Sequence, residues 1–418
     1  MTFHNILTLT GALLLCAAGA NASLAKKSKS STENQSRIIE NAHAQMLLQI
    51  KAIESDTSKN VLNPVTTKRN RFSTAYCSWA DWRSGFFPGS VWYMYELTGD
   101  KSLLPLAAKY TEAISRAQTL TSHHDIGFII NCSFGNGRKY VNKEEYEKVL
   151  VTAAKSLCTR YRPNAHIIQS WNTSPGSWQA SRGWKCPVII DNMMNLELLF
   201  NATEITGDST FYDVAVNHAN TTLNQHFRPD GSCYHVIDYD AETGVVLHRN
   251  TGQGYADQSA WSRGQAWAIY GFSMCFRKTG DRRYLDQALK TFEFMKNHRN
   301  MPDDLVPYWD MDAPDVPDEP RDASSAAIIA SALYDISTFD IDNADSYKDY
   351  ADKIMKSLSS RKYSARPGTN GRFILKHSTG SIPHNSEIDV PLNYADYYYL
   401  EALIRATSKP ATNNPRTQ

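Results

Sequence analysis

The sequence predicts an all-α protein, a closed double ring of helices of the (α/α)6 barrel type. After residue 35 nearly all of the chain has apolar residues at helical spacing, and a Thr-Gly-Asp turn recurs between paired helices. The first helix of each pair is apolar on every side, as a helix of an inner ring must be. Paired helices bury their apolar faces only by stacking on neighbours. An apolar inner layer favours ring closure over an open solenoid.

Apolar residues three and four positions apart predict eleven helices. The first, over residues 36–55, shows the pattern clearly in the run SRIIENAHAQMLLQIKAIES. The predicted ranges are 36–55, 88–98, 100–119, 142–161, 191–206, 208–226, 259–279, 281–298, 324–338, 345–360 and 394–407.

The recurrent turn has a direct physical explanation. Thr-Gly-Asp occurs at 98–100, 206–208 and 279–281, each time between an apolar-rich helix and a more amphipathic one. Glycine can end the first helix in the left-handed conformation, and aspartate can cap the next helix. Each copy therefore predicts a tight αα-hairpin.

Longer connections are expected at the opposite end from these turns, where a rigid scaffold usually carries its site. We predict two small β-hairpins among them, Ser232–Asp238 with Gly244–His248, and Gly371–His377 with its flanks. The predicted connections are residues 56–87, 120–141, 162–190, 227–258, 299–323 and 361–393.

The N-terminus has the pattern of a signal peptide over residues 1–22. The apolar run 6–20 is short for a membrane span, and Ala-Asn-Ala at 20–22 is a small-residue cleavage pattern. We therefore expect a periplasmic or secreted protein. A lipoprotein anchored at Cys16 ranks second, because Leu15 stands where a small residue is usual. No other segment is predicted to span a membrane.

The rest of the chain reads as a disordered lead-in (23–35), one barrel domain (36–410) and a tail (411–418). The 44 Lys and Arg residues nearly balance the 43 Asp and Glu residues, so nothing predicts a nucleic-acid partner. The sequence leaves the oligomeric state open. It also leaves open whether the mature chain forms one disulfide or none, since its cysteines are scattered without zinc spacing. These are Cys77, Cys132, Cys158, Cys186, Cys233 and Cys275.

Two aspartates are candidates for catalysis. Asp125 follows His123 and His124, and the alternative is a helix cap beside solvated histidines. Asp191 follows Val-Ile-Ile and precedes Asn-Met-Met, so burial would raise its pKa toward the range of a general acid. An N-cap at the start of an apolar helix is the alternative for Asp191.

A third cluster is typical of an acidic-sugar site. Arg263 and Trp267 lie four residues apart and so share one face of a predicted helix. The arginine fork suits a carboxylate, and the ring suits a pyranose face. The alternative is a structural Arg–Asp pair beside a core tryptophan. No metal-binding or nucleotide-binding motif is present, so we expect neither a metal nor another cofactor.

These residues belong to a set of short motifs that is specific when all of them occur together in one order. By this set, the chain resembles the unsaturated glucuronyl hydrolases of glycoside hydrolase family 88. The resemblance covers nearly all of the mature chain and implies the (α/α)6 barrel. It rests on Gly85–Gly89, His124–Phe128, Ile190–Asn195, His235, Gln253, Ser262–Trp267 and Ala395–Tyr399.

The resemblance implies a hydrolase that removes the 4,5-unsaturated glucuronic acid from the non-reducing end of lyase-generated oligosaccharides. The reaction hydrates the C4=C5 vinyl ether. Asp191 would be the general acid/base, and Asp125 the second family aspartate, which holds the sugar hydroxyls. The positions that would line the unsaturated sugar are His124, His235, Gln253, Arg263 and Trp267.

Three further positions are candidates for contact with the sugar. Phe87 stands where the family usually has tryptophan, so a smaller ring is expected to stack there. Ser378 and Ser381 lie in a loop near the end of the chain, Lys376–His384, which we call the late loop. This loop could contact a sulfated second sugar, or it could be an ordinary polar loop.

Competing hypotheses are an unsaturated rhamnogalacturonyl hydrolase acting on pectin fragments and a non-catalytic sugar-binding barrel. The His124-Asp125 pair and the Arg263–Trp267 segment favour the glucuronyl type, and the retained aspartates argue against loss of catalysis. The parent polysaccharide, its sulfation and the linkage preference are open.

Overall fold

The structure, a computed structural model, describes residues 33–56, 63–68, 73–142 and 144–407. The predicted signal peptide and the 411–418 tail lie outside the described residues. Of the predicted lead-in, residues 33–35 are described, and they are helical, so the disorder prediction is wrong for these three residues. No helix of the described ranges is long and apolar enough to cross a membrane.

Six helices pack side by side in sequence order and close on themselves, because the last of them contacts the first. More than half of the residues of each are buried, and burial is most complete in the fifth inner helix, where 13 of the 14 residues are buried. The inner helices are α2 (Phe86–Thr98), α4 (Ile126–Ile130, continued by a π-helical turn Asn131–Gly135), α7 (Leu196–Thr206), α9 (Ser262–Thr279), α11 (Ala323–Ile336) and α13 (Asn393–Thr407).

Six further helices surround this ring and bury only one face. In α10, for example, the buried residues recur from Tyr284 to Met295 at helical spacing. The outer helices are α1 (33–54), α3 (Leu103–Ala113), α5 (Glu144–Cys158), α8 (Ser209–Gln225), α10 (Arg282–Asn297) and α12 (Ala344–Leu358). The predicted (α/α)6 barrel is confirmed; a short α6 (Trp178–Ser181) lies in a connection.

The three Thr-Gly-Asp turns have the predicted geometry. Gly99, Gly207 and Gly280 adopt φ of 68°, 73° and 76° and end α2, α7 and α9. Asp208 and Asp281 accept hydrogen bonds from backbone N–H groups at the start of α8 and α10. The turns therefore lie at the C-terminal ends of inner helices, which leaves the N-terminal ends to the long connections.

One predicted connection, 120–141, is wrong because it contains the second inner helix. Glycines in this segment interrupt the apolar pattern that predicts a helix. They are required because other parts of the chain pack too closely for a side chain. A Cβ on Gly127 would come within 2.5 Å of the Asn195 Cα, and one on Gly137 within 2.7 Å of the Tyr146 ring. A side chain is excluded at Gly127 by Asn195, which lies far away in sequence, and at Gly137 by Tyr146 of α5.

Small antiparallel sheets lie in the connections that precede the inner helices. The predicted hairpin at 232–248 is confirmed with shifted bounds, whereas Gly371 lies in a 3-10 turn and the second predicted hairpin is wrong. The strands are β1 (Asn63–Thr67) with β2 (Thr74–Cys77), β3 (Tyr161–Arg162) with β4 (Ile167–Ile168), and β5 (Cys186–Ile189), β6 (Val236–Tyr239) and β7 (Val246–Asn250) in that order. The six cysteines of the described residues are free thiols.

Candidate active site

The predicted site residues meet at the N-terminal end of the inner ring, opposite the Thr-Gly-Asp turns. Asp125 directly precedes α4, and Asp191 lies in the 3-10 turn Ile190–Asn195 that leads into α7. Arg263 is in the first turn of α9, and its charge acts on Asp191. The chain thus places its ionisable groups where successive inner helices begin.

Asp191 is a buried carboxyl, 8% exposed, whose Oδ2 atom has no hydrogen-bond partner in the protein. Burial raises its pKa to about 7, and the Asp125 carboxylate acts in the same direction, while Arg263 and Trp267 oppose the rise. The cap position before α7 is occupied by Asn195, with no side-chain cap. The helix-cap alternative for Asp191 is therefore not what the structure shows.

The pKa of Asp125 is shifted in the opposite direction, below its ordinary value. Burial raises its pKa, but His124, His123 and Arg160 outweigh that effect and lower it overall. Its Oδ1 lies 3.2 Å from Nε2 of His124, and its Oδ2 lies 3.3 Å from Nδ1 of His123. Asp125 occupies the N-cap position of α4, but its side chain makes no capping hydrogen bond. Its carboxylate contacts the two histidines instead.

His124 is fully buried, and burial lowers its pKa. Its Nδ1 lies 3.3 Å from the hydroxyl of Ser170, and that hydroxyl also accepts the Ile189 N–H at 2.9 Å. Ser170 therefore connects the Asp125 segment to β5, the strand that ends just before Asp191. Nothing in the sequence pattern singled it out.

His235 presents a neutral donor to Asp191. Its Nδ1 accepts the backbone N–H groups of Gly252 and Gln253 at 3.0 and 3.2 Å, so the ring proton must reside on Nε2. Burial lowers its pKa well below the ordinary value, which keeps the ring uncharged. The Nε2–H lies 3.7 Å from Oδ2 of Asp191.

The structure places Arg263 in an internal network. Its terminal nitrogens donate to Asp322 Oδ2 at 2.9 Å and to the carbonyls of Thr379 and Gly380, and Gln253 donates to the same Gly380 carbonyl. This matches the structural Arg–Asp pair that was the alternative. Arg263 thereby fixes the late loop to the site, and its predicted carboxylate contact stays a prediction.

Two predicted stacking rings are not at the surface of the cleft. Trp267 is fully buried between Phe128 and Tyr398, so it supports the site from beneath and offers no open face. Phe87 packs on Tyr110 of α3, between the two helical layers. Because adjacent helical residues point about 100° apart, it is Phe86 that joins the inner aromatic cluster. A stacking role is not supported for either residue.

The partly exposed rings come from connections instead. Trp178 is 37% exposed and contacts Trp171, Trp184 and His384 at centroid distances of 6.2, 5.2 and 4.9 Å. Trp171 also contacts His235 at 6.1 Å, so this group of rings borders the candidate site. Three tryptophans within residues 171–184 of a predicted connection were a signal that the sequence analysis did not use.

The two serines of the late loop differ in how far their side chains are exposed to solvent. Ser378 is fully buried, and its hydroxyl has no partner, whereas Ser381 is 7% exposed and bonds Nδ1 of His384 at 2.7 Å. A direct contact between Ser378 and a second sugar is therefore not supported. Contact through Ser381 stays a prediction.

A helical barrel that holds, at one end, one buried carboxyl with a raised pKa and one with a lowered pKa has the features of an enzyme that works by acid/base chemistry. The sequence profile of Glycosyl Hydrolase Family 88 matches residues 55–409. The chain belongs to this family of glycoside hydrolases.

Named relatives agree with this placement. The chain is 48% identical over 326 residues to an unsaturated glucuronyl hydrolase of Formosa agariphila, covering 78% of this chain and 80% of that protein. It is 34% identical to an unsaturated chondroitin disaccharide hydrolase of Streptococcus agalactiae, with 78% and 81% covered. The crystal structure of an unsaturated glucuronyl hydrolase specific for heparin superposes with a TM-score of 0.84 at 42% identity, covering 90% and 97%.

Proposed function

We propose that the protein removes 4,5-unsaturated glucuronic acid from the non-reducing end of oligosaccharides that polysaccharide lyases release. The observation that carries this proposal is the buried Asp191 with a pKa near 7, beside an Asp125 whose pKa is lowered. One carboxyl can thus hold a proton near neutral pH while the other stays ionised. A relative at 29% identity is crystallised with dGlcA-GalNAc6S, a disaccharide of this chemical type.

The proposed reaction hydrates the C4=C5 double bond. Asp191 gives its proton to C4, the oxygen of a water molecule bonds to C5, and a proton of that water returns to Asp191. The resulting hemiketal opens to a C5 ketone, and the remaining sugar leaves from C1. Because the anomeric carbon is not attacked, the separation of the two carboxyl groups does not set the stereochemical outcome as in ordinary glycosidases.

His235 and Asp125 have distinct parts in this scheme. The Nε2–H of His235 is a fixed neutral donor beside Asp191, suited to orient either the carboxyl or a substrate oxygen. Buried polar atoms without partners are costly, so the unpartnered Asp191 Oδ2 and His235 Nε2 favour a polar ligand there. Asp125, ionised and held by two histidines, is placed to accept hydrogen bonds from sugar hydroxyls.

Turnover of defined lyase products tests the proposal. We expect the purified protein to abolish the ultraviolet absorbance of the double bond in digests of glucuronate-containing polymers. Digests of chondroitin, hyaluronan, heparin, ulvan and gellan, compared in parallel, identify the parent polysaccharide. Asp191→Asn is the matched control, since it keeps size and polarity.

The same assay separates the alternatives. Turnover of only the pectin-derived unsaturated disaccharide would mean a rhamnogalacturonyl hydrolase. Binding of the unsaturated sugars without any loss of absorbance would mean a non-catalytic sugar-binding barrel.

A further inference from the structure

One nitrogen of the His124 ring faces two hydrogen-bond donors. Its Nδ1 lies 3.3 Å from the Ser170 hydroxyl and 3.5 Å from the side-chain nitrogen of Asn195. The oxygen of the Asn195 amide accepts the Phe128 N–H at 2.9 Å, so the amide nitrogen is the atom that faces the ring. Ser170 is fully buried, and its hydroxyl oxygen accepts the Ile189 N–H at 2.9 Å. Among the described residues, His124 Nδ1 is the acceptor left for the hydroxyl proton of Ser170.

These contacts decide which ring nitrogen of His124 carries the proton. Because two donors face Nδ1, this nitrogen accepts, and the proton of the neutral ring resides on Nε2. Burial lowers the pKa of His124, which keeps the ring uncharged. Nε2 lies 3.2 Å from Oδ1 of Asp125, but it makes no hydrogen bond in the described protein. The N–H is therefore close to the carboxylate without pointing at it, and it is free to donate to another acceptor.

The same arrangement occurs at the other aspartate. His235 accepts the N–H groups of Gly252 and Gln253 at Nδ1, and its Nε2 lies 3.7 Å from Oδ2 of Asp191 without a hydrogen-bond partner. A buried donor without a partner costs free energy. Its occurrence beside both aspartates, on histidines from different connections, favours a ligand as the acceptor in each case.

The His124–Asp125 pair suits the hydroxyl groups of a sugar. A hydroxyl is a donor and an acceptor at once, so it can accept the Nε2–H of His124 and donate to the carboxylate of Asp125. The two protein atoms are 3.2 Å apart, which places a donor and an acceptor side by side. If the proton were on Nδ1 instead, two acceptors would face the hydroxyl and one of its hydrogen bonds would be lost.

Ser170 also fixes this donor relative to Asp191. The hydroxyl that bonds His124 accepts the N–H of Ile189, the last residue of β5, and Asp191 follows two residues later. The backbone of Ser170 adds two bonds, because its N–H donates to the Pro187 carbonyl at 2.9 Å and its carbonyl accepts the His124 N–H at 3.1 Å. One buried residue thus joins the histidine to the strand that leads to the second aspartate.

We propose that Ser170 is a positioning residue for substrate binding, which holds His124 with its Nε2–H free to donate to a sugar hydroxyl beside Asp125. The inference rests on the proposed function, in which Asp125 accepts hydrogen bonds from the hydroxyls of the unsaturated sugar. It assigns to a residue outside the sugar contacts an effect on how tightly the sugar is held.

The first test is spectroscopic and needs no substrate. Nitrogen–proton correlation spectra of the histidine-labelled wild type show which nitrogen of each ring carries the proton, and His124→Gln identifies the His124 signals by their loss. We expect the proton on Nε2 and a hydrogen-bonded Nδ1. In Ser170→Ala, the Nδ1 signal should move toward that of an imidazole nitrogen without a donor. A wild-type proton on Nδ1 overturns the inference.

The second test separates binding from chemistry. Ser170→Ala is expected to raise KM roughly three- to tenfold, in line with one hydrogen bond. The value of kcat should stay within about twofold of the wild type, because the sugar hydroxyl is bound equally before and in the transition state. Ser170→Thr keeps the hydroxyl and should restore KM. Ser273→Ala is the matched control, since that buried hydroxyl bonds the Tyr270 carbonyl of its own helix at 2.9 Å, and both constants should be unchanged.

The contrary outcomes are distinct. An unchanged KM in Ser170→Ala, or a raised KM that a folded Ser170→Thr does not restore, overturns the inference and leaves Ser170 a structural residue. If circular dichroism shows that Ser170→Ala is unfolded, Ser170→Cys replaces it, because a thiol is a much weaker donor, and the same rise in KM is expected. A wild-type protein without turnover of any lyase product contradicts the proposed function, while the spectra still locate the His124 proton.

Discussion

The Nε2 atom of His235 lies 3.7 Å from Oδ2 of Asp191, and neither atom has a hydrogen-bond partner in the described protein. Two backbone N–H groups donate to Nδ1 of His235, so the ring proton resides on Nε2, the nitrogen that faces Asp191. The Asp191 carboxyl is therefore bordered by a neutral donor, which does not lower its pKa as an imidazolium would.

Asp191→Asn is expected to bind substrate but not to turn it over. Asparagine keeps the shape of the side chain but has no proton to give to C4. General acid/base groups contribute about 10²–10⁴-fold, so kcat should fall by at least that order. Steady-state kinetics and calorimetric binding measure the two effects separately. A kcat within about tenfold of the wild type would remove Asp191 from the mechanism.

Activity is expected to fall as the pH rises through about 7. Asp191 must be protonated to donate, and its pKa is about 7, whereas Asp125 ionises at a pH below 3.8. The plateau should therefore lie on the weakly acidic side of neutrality. The profile of kcat/KM against pH measures the free enzyme. An activity that rises through pH 7 would mean that Asp191 acts only as a base.

Asp191→Asn is also expected to stabilise the fold at neutral pH. The pKa of Asp191 is about 7 in the folded state against 3.8 for the free group, so the folded state holds a proton that the unfolded chain has released. Its contribution to stability is present below pH 3.8 and is lost, at about 1.4 kcal/mol per pH unit, as the pH rises toward 7. The Tm advantage of the variant should grow with pH; an advantage independent of pH would contradict the shift.

Trp178→Ala and Phe87→Leu should affect different properties. Trp178 is 37% exposed at the cleft, so its loss should raise KM by roughly three- to tenfold, in line with the energy of one aromatic contact, and leave stability nearly unchanged. Phe87 lies between helical layers, so Phe87→Leu should cost about 1 kcal/mol of stability with KM unchanged. A higher KM in Phe87→Leu, with unchanged KM in Trp178→Ala, would instead support Phe87 as the sugar-stacking ring.

Gly127→Ala should destabilise the barrel more than Gly99→Ala. The new methyl at 127 would overlap the Asn195 backbone at 2.5 Å, which requires α4 to move and costs about 2–3 kcal/mol. Gly99 has open space but a φ of 68°, so its cost is that of the left-handed conformation, about 1 kcal/mol. Urea unfolding compares them, and equal losses would mean that α4 is not fixed by this contact.

Local patterns were enough to predict most of the fold. Helical periodicity and the repeated turns predicted five of the six inner helices and the ring, because each turn depends on residues adjacent in sequence. The helix at 126–130 was missed for the opposite reason: Gly127 is required by its contact with Asn195, which lies far away in sequence.

The sequence by itself determined the barrel and the family, since these follow from periodicity, turn chemistry and ordered motifs, and it predicted the roles of the two aspartates. Only the tertiary structure decided which rings reach the cleft, that Arg263 bonds the late loop, and that His235 is a neutral donor. Those properties depend on exposure and on hydrogen-bond partners contributed by distant connections. Trp178, Gly380 and Gly252 acquire their roles only when the ring closes and brings its loops to one end.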